Sequence, residues 1–192
     1  YIRIIQFTPY TDDRVRESIK EFENEGYESL IIDLRRNPGG LLPAVVDTAD
    51  LFFSDGLVVG TRGRSPGENQ RFTADNGVDV PREMPVVVLI DEGSASASEI
   101  LAGALKDRDR AYLIGETTYG KGSVQQVRRI TTGGFRLTMS RYYTPSGDYI
   151  DKKGIEPDLV VKDPELSDED LDSLARLQEE GLVEDFVSEQ PS

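Results

Sequence analysis

The chain has 192 residues, a formal net charge of -14 at pH 7, and a make-up that is 37% hydrophobic and 30% charged. That is enough for one folded domain with a real core, and too apolar for general disorder. The chain contains no cysteine and no histidine, which excludes thiol nucleophiles, disulfides, thiolate zinc sites, Ser-His-Asp triads and HExxH metal sites. The acidic balance argues against nucleic-acid partners, because displacing counterions from phosphate needs a basic surface.

Tyr1 to Phe7 alternates apolar and polar residues, which predicts a strand. Thr11 is the expected N-cap of a helix with Asp12 and Asp13 in its first turn, Val15, Ile19 and Phe22 at helical spacing, and Gly26 as its stop. Leu30 to Leu34 is a short apolar run of the buried-strand kind. Asn37-Pro38-Gly39-Gly40 breaks it, and an amphipathic helix follows through Val45, Val46, Ala49, Leu51 and Phe52. Leu57 to Thr61 predicts another strand, and Arg62 to Arg82 a hairpin or mobile loop. Val86 to Ile90 is the strongest buried-strand signal. It runs into Asp91-Glu92-Gly93 and then a helix of small and apolar residues from Ser96 to Leu105. Tyr112-Leu113-Ile114 starts a further strand, and Val124–Ile130 and Phe135–Tyr143 read as a pair around Thr132-Gly133-Gly134. Ser167 and Asp170 have capping-box spacing at the head of a helix that runs to Glu180, with Gly181 after it. Alternating strands and helices give an α/β class with a largely buried sheet. No apolar run approaches the ~20 residues of a membrane span. The start at Tyr1, with no Met or basic leader, is what an excised piece would show.

A hydrolase made from this alphabet must use paired carboxylates, an oxygen-ligated metal, or a Ser/Thr nucleophile with a lysine base. Gly93-Ser94-Ala95-Ser96-Ala97-Ser98-Glu99 lies where the strongest strand gives way to a helix. A nucleophile there has its oxygen raised above the sheet, and helix N–H groups can hold an oxyanion. The same residues also fit a structural role: Ser96 and Glu99 have capping-box spacing, and small residues allow close helix packing. Spacing does not choose among Ser94, Ser96 and Ser98. Gly115-x-x-x-x-Gly120-Lys121 matches most of a phosphate-binding loop. However, Gly122 stands where Ser or Thr should bind Mg²⁺, and the alternating Ser123-Val124-Gln125-Gln126-Val127 replaces the required helix. Asp12-Asp13 and Asp168-Glu169-Asp170 sit in first turns of expected helices, where carboxylates favour the dipole, so they are read as structural and not as a metal site. No cofactor is expected.

Four segments together resemble the carboxyl-terminal processing peptidases, also called tail-specific proteases: Ile31-Ile32-Asp33-Leu34-Arg35-Arg36-Asn37-Pro38-Gly39-Gly40, Gly93 to Glu99, Tyr119-Gly120-Lys121-Gly122-Ser123-Val124-Gln125, and Thr144-Pro145-Ser146-Gly147 with Gly154-Ile155-Glu156-Pro157-Asp158. The resemblance covers residues 1 to 162, the expected catalytic core, and leaves 163 to 192 as a helical extension. It implies a serine endopeptidase with Ser96 as nucleophile, Lys121 as base and Gln125 orienting the amine. The oxyanion would rest on the N–H of Ala97 and a backbone N–H of Gly39 or Gly40. It further implies a crotonase/ClpP-like core of β-β-α units, protein substrates with unstructured C-termini, a PDZ domain in the parent chain, and an extracytoplasmic location. A lysine base must be neutral, and at pH 7 that disfavours the ammonium by roughly 4 kcal/mol, which calls for a dry pocket. Ile114, Val124 and Tyr119 are the expected walls. The alternatives are a non-catalytic peptide-binding or scaffold relative offering a strand edge, a latent fragment lacking its substrate-binding domain, and acyl-CoA chemistry, against which the Ser96/Lys121 pair argues.

Overall fold

The computed structural model describes residues 1–75, 79–162 and Arg176. The chain divides into two units, Tyr1–Val161 and Lys162–Ser192. The helix expected from Ser167 lies outside the described residues except at Arg176, which is helical.

Among the described residues the first unit holds two sheets. One is wholly parallel and has the order β1 (Ile2–Arg3), β2 (Leu30–Asp33), β5 (Val86–Ile90), β6 (Tyr112–Gly115), β9 (Leu159–Val160). The other is antiparallel, with the order β4 (Arg71–Thr73), β3 (Leu57–Gly63), β8 (Gly133–Tyr143), β7 (Ser123–Ile130). Three helices, α1 (Thr11–Glu25), α2 (Leu42–Asp50) and α3 (Ala97–Asp107), complete the α/β arrangement. Phe7, Ile19, Leu30, Ile32, Leu51, Ile90, Leu101, Leu105 and Leu113 are among its fully buried side chains. α3 runs through this core, buried from Ala97 to Leu105, which its alanines and Gly103 permit by keeping its surface thin.

Several expectations change in detail. Of the strand expected over Tyr1–Phe7, only Ile2 and Arg3 join the ladder; Phe7 makes an isolated parallel bridge to Gly40. Thr11 is already helical and Tyr10 is the N-cap; the Thr11 hydroxyl accepts the Thr8 N–H at 2.9 Å, so its oxygen serves the preceding turn. The stretch after Thr61 forms a hairpin in which β3 pairs β4 across a 3-10 turn at Pro66–Glu68. The parallel sheet is buried on one face and partly open on the other: Leu30, Ile32, Val86, Val88 and Ile90 are buried, whereas Ile31 is 40% exposed and Val87 and Leu89 are half-buried. A continuous apolar run reports the covered face and is silent about the other.

Candidate active site

The carboxyl ends of β2, β5 and β6 bring the sequence motifs together, as parallel sheets do. After β2 the chain turns through Asn37-Pro38-Gly39-Gly40. Asp33, fully buried, anchors the approach to this turn. Its carboxylate accepts the Arg35 N–H at 3.0 Å, the Arg35 guanidinium at 2.9 and 2.8 Å, and the Tyr1 hydroxyl at 2.6 Å. Burial pushes this carboxyl up, but the Arg35 and Tyr1 hydrogen bonds outweigh it and hold the pKa at about 2.

Asn37 is buried and stitches three segments. Its Nδ2 donates to Ile4 O at 2.6 Å, its Oδ1 accepts the Gly39 N–H at 2.9 Å, and its backbone oxygen accepts the Ala95 N–H and the Ser98 hydroxyl. Gly39 and Gly40 have φ of +103° and +147°. A methyl group on Gly39 would lie 2.7 Å from Ala95 O and 2.8 Å from both Ala97 N and Ser96 Cβ. This turn therefore presses directly on the serine turn and admits only glycine.

The three serines after β5 have different fates. Ser94 is fully buried and its hydroxyl is committed, donating within reach of Leu34 O (2.8 Å) and Asp91 Oδ1 (3.1 Å) and accepting the Asp91 N–H (3.0 Å). Ser98 is equally buried and donates to Asn37 O at 3.0 Å. Ser96 is half-buried and holds φ +57°, ψ -111° at the N-cap of α3. That conformation is costly for an L-residue and is a mark of strained functional turns, including the strand-to-helix elbow that raises a nucleophile. The capping-box geometry is also present: the Ser96 N–H donates to Glu99 Oε2 at 2.8 Å. Ala97 occupies the first helical position of α3, where an N–H has no intrahelical acceptor.

Glu99 is the residue that sequence reasoning undervalued, taking it only as half of a capping box. It is fully buried. Its Oε1 accepts the Thr118 hydroxyl and the Gly120 N–H, both at 2.6 Å, and its Oε2 accepts the Ser96 N–H and the Lys121 N–H at 2.8 and 2.9 Å. One carboxylate thus joins the serine turn to the lysine loop. The Thr118 hydroxyl also accepts the Ile155 N–H at 2.7 Å, and the Tyr119 N–H donates to Ser94 O at 3.0 Å. Gly122 completes the packing: a methyl group there would lie 2.2 Å from Asp151 N. That contact accounts for glycine at the position a phosphate loop would give to Ser or Thr. The segment then enters strand β7 and not a helix, so the phosphate-loop reading fails on geometry.

The backbone of Lys121 is thereby tied to the serine turn, but its side chain is exposed, and among the described residues no hydrogen bond or ion pair engages it. Gln125 is also exposed, in β7 opposite Thr138, where the pairing with β8 shifts register between Val124 and Gln125. The expected dry wall is open: Ile114 and Val124 are half-buried and Tyr119 is 69% exposed. A strand reading places apolar residues near the lysine but does not say what covers them.

These features define an α/β protein with a serine on a strained strand-to-helix turn and a lysine loop bonded to the same buried carboxylate. The chain belongs to peptidase family S41, whose family model matches residues 1–161. It is 46% identical over 169 residues to a carboxy-terminal-processing protease of Bartonella bacilliformis, a match covering 85% of this chain and 39% of that protein. It is 42% identical over 185 residues to a carboxyl-terminal-processing protease of Synechocystis sp., covering 96% and 43%. Among solved structures, the photosystem II D1 C-terminal processing protease is similar with a TM-score of 0.76 and 37% identity, covering 91% of this chain and 45% of that one. The chain therefore spans about two fifths of the length of the curated relatives it matches.

Proposed function

We propose that this chain carries the catalytic core of a serine endopeptidase that cuts protein substrates near unstructured C-termini, with Ser96 as nucleophile and Lys121 as base. The supporting observation is the four-donor Glu99 carboxylate, which ties the strained Ser96 turn and the Lys121 loop into one unit. Ser96 Oγ attacks the scissile carbonyl while its proton passes to neutral Lys121 Nζ. The resulting oxyanion rests on the Ala97 N–H and on that of Gly40, because the Gly39 N–H is already given to Asn37 Oδ1. Lys121 returns the proton to the leaving amine, and water then resolves the acyl-enzyme. Gln125 serves to orient the lysine amine.

The same reading takes the core as a crotonase/ClpP-like assembly of β-β-α units, with residues 163–192 as a helical extension. In the full-length protein it adds a PDZ domain that captures substrate C-termini, and an extracytoplasmic location. One observation favours a second state: the Lys121 side chain is exposed and unpaired among the described residues, which fits a latent core that needs a further element to bring the amine onto Ser96 and dry it.

A fluorophosphonate probe tests the reading. Labelling confined to Ser96, in the full-length protein or in this core, supports it; labelling of Ser94 or Ser98 in place of Ser96 moves the nucleophile. No labelling of an intact full-length protein refutes the enzyme reading in favour of a non-catalytic peptide binder.

A further inference from the structure

A groove of about 740 Å³ runs over the antiparallel sheet, lined by Arg62 and Arg64 of the β3 side, Leu137, Met139 and Arg141 of β8, and Tyr149. The ladder register places Arg62 directly opposite Arg141, and Arg64, in the bend just past the end of β3 at Gly63, lines the same groove. Like charges directly opposite on neighbouring strands are destabilising, and this protein has 36 acidic residues against 22 basic ones with which to avoid them. Arg141 is ion-paired to Asp151 at 3.1 Å. Arg62 rests on the Tyr143 ring at 5.2 Å and donates to the Tyr149 hydroxyl at 3.4 Å. Neither Arg62 nor Arg64 has a carboxylate in ion-pair range among the described residues. Glu68, the acidic residue lining the groove, is turned to the Ser65 N–H at 3.0 Å.

The position of the groove suggests its use. Arg141 is in register with Ser123, which lies two residues beyond Lys121, and its partner Asp151 packs on Gly122. Tyr142 N–H donates to Gly122 O at 2.7 Å. The arginine row therefore begins one strand away from the lysine loop, and its far end on β3 is about two strand spacings, ~10 Å, from β7. An extended peptide crosses that distance in about three residues.

We propose that Arg62, Arg64 and Arg141 form a specificity subsite that takes a substrate carboxylate about three residues from the scissile bond. Arginine's planar fork is suited to that partner, and the aliphatic walls at Leu137 and Met139 accommodate the stem of an acidic side chain. The proposal rests on the peptidase reading. The carboxylate can come from an internal Glu or Asp or from the peptide's own C-terminus.

The test uses full-length protein and fluorogenic peptides of one core sequence. Glu or Gln is placed at each position up to five residues on either side, and each peptide ends in a free acid or an amide. A Glu-over-Gln or acid-over-amide preference in kcat/KM on the order of tenfold is expected at one position, shrinking as salt screens it. In Arg62→Gln/Arg64→Gln the ratio falls to about one, whereas Arg64→Lys keeps most of it. Whichever substitution carries the preference names the source of the carboxylate. A ratio near one in the wild type, or one unchanged in the double variant, overturns the subsite. Anisotropy of the same labelled peptides on Ser96→Ala protein decides it independently of turnover. If no peptide is cut, the peptidase reading falls, while binding that prefers Glu and loses that preference in the double variant still supports the subsite; binding without preference overturns it.

Discussion

Replacing Glu99 by Gln removes the charge from the carboxylate that joins the two halves of the site while keeping its size. Four donors converge on it: the Thr118 hydroxyl and the N–H groups of Ser96, Gly120 and Lys121. A glutamine oxygen can serve two of them, and its NH₂ then faces the other two, which have no water to turn to because the residue is fully buried. A hydrogen bond to a charged group contributes about 1.5–3 kcal/mol, so losing two of them costs about 4 kcal/mol. For a chain of this size that is a fall in Tm of about 10 °C. Urea unfolding should show a lower midpoint at unchanged slope, and initial peptide rates should drop at least tenfold even below the transition, since either orientation of the amide turns its NH₂ on two of the four donors, the Ser96 and Lys121 N–H groups or the Thr118 hydroxyl and the Gly120 N–H. A Glu99→Gln protein within about 1 kcal/mol of wild type and of normal turnover would refute the claim that this carboxylate holds the serine turn and the lysine loop together.

Lys121→Arg should abolish hydrolysis, by about 10² to 10⁴-fold, because guanidinium cannot act as a base near neutrality; steady-state kinetics with retained substrate binding checks this. Gly39→Ala should destabilise the fold and depress activity together, since its methyl would sit 2.7–2.8 Å from Ala95 O, Ser96 Cβ and Ala97 N at a φ of +103°; unfolding and labelling by a fluorophosphonate both report it. Asp33 titrates near 2 in the folded chain, below the 3.8 of a free aspartate. Its contribution, about 2 kcal/mol, is therefore complete above pH ~4 and lost as pH falls from there through 2. Stability of wild type and Asp33→Asn measured between pH 5 and 2 should converge as the pH drops.

Part of the candidate site could be read from residue types, and the roles of Ser96 and Lys121 came from the resemblance to a peptidase family. The absence of histidine and cysteine left a serine with a lysine base among the few hydrolytic schemes available. The apolar run Val86–Ile90 ending before Gly93 located the strand and the turn after it, and β5 spans those five residues. Spacing could not tell Ser94, Ser96 and Ser98 apart, because the difference lies in hydroxyl partners at Leu34, Asp91 and Asn37, up to 61 residues distant in sequence. Glu99 looked like an ordinary cap residue for the same reason: three of its four donors come from a loop about twenty residues downstream.

What the chain's order of residues determined, then, was local: where strands begin, which turns require glycine, and which side chains have chemistry to offer. Periodicity and turn stereochemistry act over a few residues and leave their marks in the string itself. Only the tertiary structure decided which serine keeps solvent access, which buried carboxylate couples the two motifs, which face of the parallel sheet is covered, and that Arg62 and Arg141 stand side by side. Those are contacts between segments far apart in sequence, set by sheet register and loop closure, and no short window contains both partners.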